Sequence, residues 1–120
     1  MLNLDIHILI SALSGELSSK ERGLLSSHPW SISAIVLWEI AKLADLKRIE
    51  LSLEDPEVTR VLSKIHVWPI DLSICKTLKQ LDFKSDPADE LIAATSIVHQ
   101  VPLLTRDKKI KKSKRVPLAL

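Results

Sequence analysis

With 120 residues, 46% hydrophobic and 27% charged, the chain has the size of one domain, residues 1–120, and a globular composition that excludes disordered and fibrous classes. Its longest near-continuous apolar run, ISAIVLW, falls far short of the roughly 20 residues of a membrane span; MLNLDIHILISAL lacks a basic start and carries Asp5, so no cleaved leader and no membrane partner are expected, and the location is read as cytoplasmic. The net charge of +2 conceals an asymmetry: Arg106 to Arg115, RDKKIKKSKR, holds seven of the 17 basic residues and one of the 15 acids, which leaves +6 there and −4 on the rest, a pattern of either a solvated edge or an attractor of phosphate backbones.

Leu2 to Leu13, LNLDIHILISAL, reads as a short strand running into a helix, with Asp5 near the strand end. Ser18 or Ser19 caps a second helix with Glu21 or Arg22 in its first turn, ending around Ser27, and HPW is a turn. SISAIV is a β-branched second strand. It leads into the helix LWEIAKLADLKRI, where Ile35, Trp38, Ile40, Ala41, Leu43 and Ala44 share an apolar surface and Glu39 lies off its centre. LEDPEVTRVLSKI is a helix capped by Asp55 with Pro56 at its first position. HVWPID is a third strand and LSICKTLKQL a further helix, on which Cys75, beside Ile74 and Leu78, is expected to pack inward. A single cysteine excludes an internal disulfide and a cysteine zinc site.

After the loop DFKSDP, Asp86 and Pro87 start the helix ADELIAATSIVHQ, followed by the strand PLLT and a last short apolar piece, VPLAL. Strands alternating with helices indicate an α/β fold with a mainly parallel sheet and helices on both faces. Two glycines leave no glycine-rich phosphate loop. His7 reads as a packed or supporting group rather than a general base, His99 as a helix C-terminal residue, and Trp30, Trp38 and Trp68 as core or dimer packing.

In open α/β sheets, functional loops converge beyond the carboxyl ends of the strands. Asp5, Asp89 and Asp107 fall at such ends or at the helix starts that follow, and Glu39 joins them if its helix packs beside the same crevice. Each also has a plain reading: Asp89 and Asp107 as helix-cap acids, Glu39 as a solvated face residue. Asp86 is most simply an N-cap, with a place at the rim of a site as the alternative. Asp5 is the least ordinary, because a carboxylate inside an apolar strand is costly to bury without a partner. Two carboxylates 4 Å apart repel by about 1 kcal/mol in water and about 4 at an effective dielectric near 20, so four together call for a cation or shifted pKa values. Hard oxygen donors suit Mg2+ or Mn2+, which points to metal-assisted phosphodiester hydrolysis.

The order and context of these acids resemble the PIN-domain family, and within it the VapC-like ribonucleases of type II toxin–antitoxin pairs, over nearly the whole chain. LNLDIHILISAL resembles the family's first strand with its Asp, here Asp5, and a His two positions on, His7. SISAIVLWEIAKLADLKRI is similar to the segment that carries the family's Glu, which falls on Glu39. DPADELIAATSIVHQVPLLTRDKKI is the most specific piece, placing the third and fourth acids at Asp89 and Asp107. The resemblance implies a three-layer α/β/α fold, Mg2+- or Mn2+-dependent endoribonuclease activity, homodimerisation, and inhibition by a cognate antitoxin. Ile6 stands where a Thr or Ser is common, and Glu90 where an Arg is.

On this reading Asp5 and Asp89 hold the principal metal ion, and Glu39 and Asp107 complete the pocket. Thr105 orients Asp107 or the RNA substrate, while Arg106, Lys108 and Lys109 contact the RNA backbone. Two rivals predict otherwise. A catalytically silent binding protein would keep the fold and the basic segment without cleaving RNA. A phosphoacceptor receiver domain would need an Asp at the end of a mid-chain strand, which SISAIV lacks.

Overall fold

The computed structural model describes residues 1–120. In chain order it contains β1 (Leu2–Leu4), α1 (Ile6–Ser14), α2 (Ser19–Ser27), β2 (Trp30–Ser33), α3 (Ala34–Asp45), α4 (Pro56–Ser63), β3 (His66–Trp68), α5 (Leu72–Thr77), a 3-10 turn (Leu78–Gln80), α6 (Pro87–His99), β4 (Leu103–Leu104) and α7 (Lys108–Lys111). All four strands are parallel, in the order β3-β2-β1-β4. The chain steps from β1 to β2 to β3 in one direction and returns across the sheet to β4. Helical connections between these parallel strands, running one way along the sheet and then back, place helices on both faces and give the three-layer α/β/α arrangement.

Local chemistry sets most boundaries. Ser18 and Glu21 form a capping box at the start of α2, its two bonds measuring 2.9 and 3.1 Å. Asp55 accepts from the Glu57 amide ahead of α4, and Asp71 from the Ile74 amide at α5. Gly15, at φ +75°, closes α1 in the left-handed conformation. The second strand is shorter than SISAIV. Ser33 ends it by accepting from the Ile35 amide, and Ala34, Ile35 and Val36 begin α3 instead. The β-branched pair is overridden because it lets Val36 and Ile40 reach the core fully buried. At the C-terminus, VPLAL forms a single parallel bridge, Leu103 to Leu118, at the β4 edge.

The core joins Leu2, Leu4, Ile8, Leu9, Ile32, Val36, Ile40, Ile92, Leu103, Leu104 and Ile110 into one cluster between sheet and helices. Asn3, fully buried on β1, donates from its amide to the Ile92 carbonyl (3.2 Å) and the Ser96 hydroxyl (2.8 Å), fastening α6 to the central strand. Two packing expectations are corrected. Trp38 is 58% exposed, which removes core packing and leaves dimer packing untouched, because the inward face of α3 runs through Val36, Ile40 and Leu43, and a residue two positions from both Val36 and Ile40 points away from it. Cys75 is exposed, because Ile74 and Thr77 take the buried side of the short α5.

Candidate active site

The site is built at the carboxyl ends of β1, β2 and β4. Asp5 directly follows β1 and is 3% exposed. Its Oδ1 accepts the Ile6 amide at 2.7 Å, capping α1, and its Oδ2 accepts the Thr105 hydroxyl at 2.6 Å. Protein donors therefore supply part of the compensation that burial of this carboxylate demands. Thr105, just past β4, also accepts the Asp107 amide at 3.1 Å, so one hydroxyl links two of the predicted acids. Ile6 is buried in the core. The hydroxyl beside Asp5 comes from Thr105 rather than from the neighbouring position.

Asp107 caps α7, its Oδ1 accepting the Lys109 and Ile110 amides at 2.8 and 3.0 Å. The cap reading and the site reading thus apply to one side chain. Asp89 lies in the first turn of α6, half-buried, with Oδ2 accepting the Ser85 hydroxyl at 2.9 Å. Glu90 accepts the Ser85 amide and ties the preceding loop to the helix. Asp86 occupies the N-cap position of α6, yet its side chain makes no capping bond. Only the capping bond is missing from its expected role: Asp89 and Glu90 already place negative charge at that terminus, and Asp86 lines a groove with Glu39.

Glu39, in the second turn of α3, is half-buried rather than solvated, and its Oε1 is buried without a hydrogen-bond partner. Burial, then the carboxylates of Asp89, Asp5 and Asp86, push its pKa from 4.5 up to about 7. Burial likewise raises Asp89, opposed by the Ser85 hydroxyl and reinforced by Asp5, Asp107 and Asp86. The fold therefore brings Asp5, Glu39, Asp86, Asp89 and Asp107 into one field of mutual repulsion, with Asp89 coupled to three of the others and to Glu39. No three of them form a closed coordination set in their present rotamers; Asp5, Asp89 and Asp107 are turned to the donors just described. The donor chemistry fits a hard divalent cation: all-oxygen, anionic, part-desolvated and with one oxygen unpartnered.

Arg106 has partners within the fold that its segment does not signal. Its guanidinium donates to both Glu21 oxygens (2.9 and 2.7 Å), to the Ser11 hydroxyl (3.0 Å) and to the Glu16 carbonyl (3.3 Å). It clamps β4 to α1 and α2, with its charge paired to Glu21 and 42% of its side chain still exposed. The same bond holds the Glu21 carboxyl down at about 2. Lys108 and Lys109 remain exposed at the start of α7, Lys109 donating to the Lys84 carbonyl at 3.0 Å. His7 is exposed on α1, lining a shallow depression with Arg106 and Asp107, and is not a packed group. His99 ends α6 as expected and stacks on Trp68 at 4.0 Å between ring centroids. Asn3, Ser11, Glu21 and Ser85 brace the site's surroundings, and of these only Asn3, polar inside an apolar strand, carries a local signal of such a role. The largest cavity, about 730 Å3, lies away from the acids, between α1, α4 and the segment Arg48–Leu51.

A three-layer α/β/α domain with acids gathered at the carboxyl edge of a parallel sheet is the class that fold and site define. The chain belongs to the PIN domain family, whose model matches residues 3–116. It is 34% identical over 85 residues to Ribonuclease VapC22 of Mycobacterium tuberculosis (strain ATCC 25618 / H37Rv), a match that covers 68% of this chain and 65% of that relative, so somewhat under two thirds of the relative's length is spanned. Among solved structures it is similar in fold to a toxin–antitoxin complex from Klebsiella pneumoniae, at a TM-score of 0.71 and 24% identity over 93% of this chain and 91% of the other. VapBC2 from Rickettsia felis, bound to a DNA fragment of its promoter, gives 0.74 at 19% identity over 98% and 97%. FitAcB from Neisseria gonorrhoeae gives 0.71 at 20% identity over 98% and 96%. No helix is long and apolar enough to cross a membrane.

Proposed function

We propose that the protein is a metal-dependent endoribonuclease and the toxin of a type II toxin–antitoxin pair. The observation that carries this reading is Glu39: a half-buried carboxylate with an unpartnered oxygen, raised to about 7 by burial first and then by Asp89, Asp5 and Asp86. Such a group is unfavourable in a merely structural position and is expected where a cation is to be held. Asp5, Glu39, Asp89 and Asp107 would hold Mg2+, or Mn2+ in its place. When bound, that ion would neutralise charge building on the phosphodiester and lower the pKa of a water to make it a nucleophile.

The chain's own residues do the rest. Thr105 fixes the rotamer of Asp5 and the backbone of Asp107 through one hydroxyl. Ser85 fixes Asp89. With no cation bound, the Glu39 carboxyl keeps its proton up to about pH 7, and a cation would displace it. Lys108 and Lys109, at the head of the basic segment, draw the RNA backbone towards an otherwise acidic face. Similarity to a ribonuclease and to toxin–antitoxin complexes supports RNA as substrate and a cognate antitoxin as partner. A homodimer and a cytoplasmic location complete the proposal.

The test is cleavage of a structured RNA by purified protein in Mg2+ or Mn2+. Activity abolished by EDTA and by Asp89→Asn is expected. RNA left whole in both metals but retained on the protein would favour a catalytically silent binder.

A further inference from the structure

We propose that the segment from Lys108 to Arg115, with Lys84 beside it, is a track for the RNA backbone on one side of the cleaved bond, gripping phosphates without distinguishing bases. The inference rests on the ribonuclease reading above and specifies how its substrate lies. Topology supplies the direction. β4 ends at the acids, and the chain re-enters the sheet parallel to β4: the Leu103 amide donates to the Pro117 carbonyl at 2.8 Å, the Leu103 carbonyl accepts the Ala119 amide at 3.0 Å, and Leu103 bridges Leu118. A parallel return requires the residues between to pass from the carboxyl edge of the sheet back to its amino edge. The basic segment therefore starts at Asp107, in the acidic pocket, and leads away from it down the β4 flank.

The segment is held in place along its length. Ile110 is fully buried and Val116 is 5% exposed, so its two apolar residues anchor it to the core. Between them Asp82 accepts the Ser113 hydroxyl at 2.5 Å and the Lys114 amide at 2.7 Å, and the Ser113 hydroxyl accepts the Arg115 and Val116 amides at 3.1 Å each. Lys109 donates to the Lys84 carbonyl, which brings Lys84 alongside. Lys84 and every lysine and arginine from Lys108 to Arg115 are exposed, whereas no apolar or aromatic side chain of that segment is. The single turn of α7 and the four residues after it span about 15–20 Å, the run of about five phosphates at roughly 3.4 Å each. Phosphate contacts position a strand without carrying sequence information, and no aromatic platform is present to stack bases. An acidic peptide would meet the same charge but find no apolar anchor, and the acids at the head of the track would repel it. An RNA strand laid along the track brings its next phosphodiester to Asp107.

The experiment has a binding arm and a cleavage arm. Fluorescence anisotropy in EDTA measures the affinity of a mixed-sequence single-stranded RNA of about twelve nucleotides across a salt titration. The combined variant Lys111→Gln, Lys112→Gln, Lys114→Gln and Arg115→Gln is expected to bind about tenfold more weakly and to lower the slope of log K against log salt by about 2–3, at roughly 0.7 per phosphate contact. Lys42→Gln, Lys47→Gln, Arg48→Gln and Lys64→Gln together remove the same charge from α3, α4 and the turns after them, and should leave the slope as in wild type. Scrambling the RNA sequence should leave the affinity unchanged. In the cleavage arm, the shortest RNA that is cut in Mg2+ is lengthened at its 5′ or its 3′ end; one extension alone should raise kcat/KM, through KM, and the strip variant should lose that gain. An unaltered slope in the strip variant, an equal loss in the second variant, or an equal effect of both extensions overturns the track. So does tighter binding of duplex DNA than of RNA. If no RNA is cut, the ribonuclease reading fails by itself and the anisotropy arm still decides the track.

Discussion

Glu39 makes the most direct link between site and stability. Its pKa rises from 4.5 to about 7 on folding, so the sign is that of a raised acid: its favourable contribution is complete below pH 4.5 and is lost as pH climbs through 7. Above that, the folded state carries the whole penalty of an ionised group facing Asp89, Asp5 and Asp86. A shift of this size corresponds to about 3 kcal/mol at most, and the partial exposure of Glu39 reduces it to roughly 1–2 kcal/mol through solvent screening. Glu39→Gln removes the charge and keeps the shape. In urea denaturation with EDTA present, Glu39→Gln is expected to match wild type near pH 4.5 and to exceed it by roughly 1–2 kcal/mol at pH 8. Added Mg2+ should stabilise wild type at pH 8 and narrow the gap, while activity is lost in the variant. A variant less stable than wild type at pH 8, or a difference independent of pH, would refute the reasoning.

Other outcomes follow from single contacts. Arg106→Met should destabilise by about 2 kcal/mol, since it strips Glu21, itself 9% exposed in its side chain, of its charged partner; thermal melting checks this. Because Glu21 is held at about 2, its contribution is present above pH 4.5 and lost as pH falls towards 2, so Arg106→Met should flatten the acid limb of a stability–pH profile. Thr105→Val leaves Asp5 Oδ2 without its donor and should lower both Tm and RNA cleavage, whereas Thr105→Ser restores both; equal behaviour of the two would sink the orienting role. Cys75 is exposed on α5, so a thiol reagent should titrate one cysteine in the native protein without loss of cleavage.

What could be seen in the sequence was mostly what is local. Ser18 with Glu21 and Asp55 with Pro56 mark helix starts through contacts a few residues long, and the structure holds both. The acids at strand ends were legible because the α/β alternation fixes where strand carboxyl ends lie. Side-chain commitments across the fold were not. Arg106 finds Glu21 at 85 residues' separation and Thr105 finds Asp5 at 100, and nothing within either segment signals its partner. The facing of Trp38 and Cys75 failed for a related reason: a helix with apolar residues on several sides does not declare which side meets the sheet. Asp86 shows the limit of cap rules, since an Asp before Pro takes the N-cap position even when its carboxylate makes no capping bond.

The central claim is that the carboxylates around Asp89 form a divalent-cation site. Electron paramagnetic resonance of free Mn2+, titrated with wild type, Asp5→Asn and Asp89→Asn, measures it without reference to RNA. Saturable Mn2+ binding by wild type, displaced by Mg2+ and weakened at least tenfold in both variants while their folds remain intact, is the expected result. Binding of equal strength in all three proteins, or none in wild type, would contradict it.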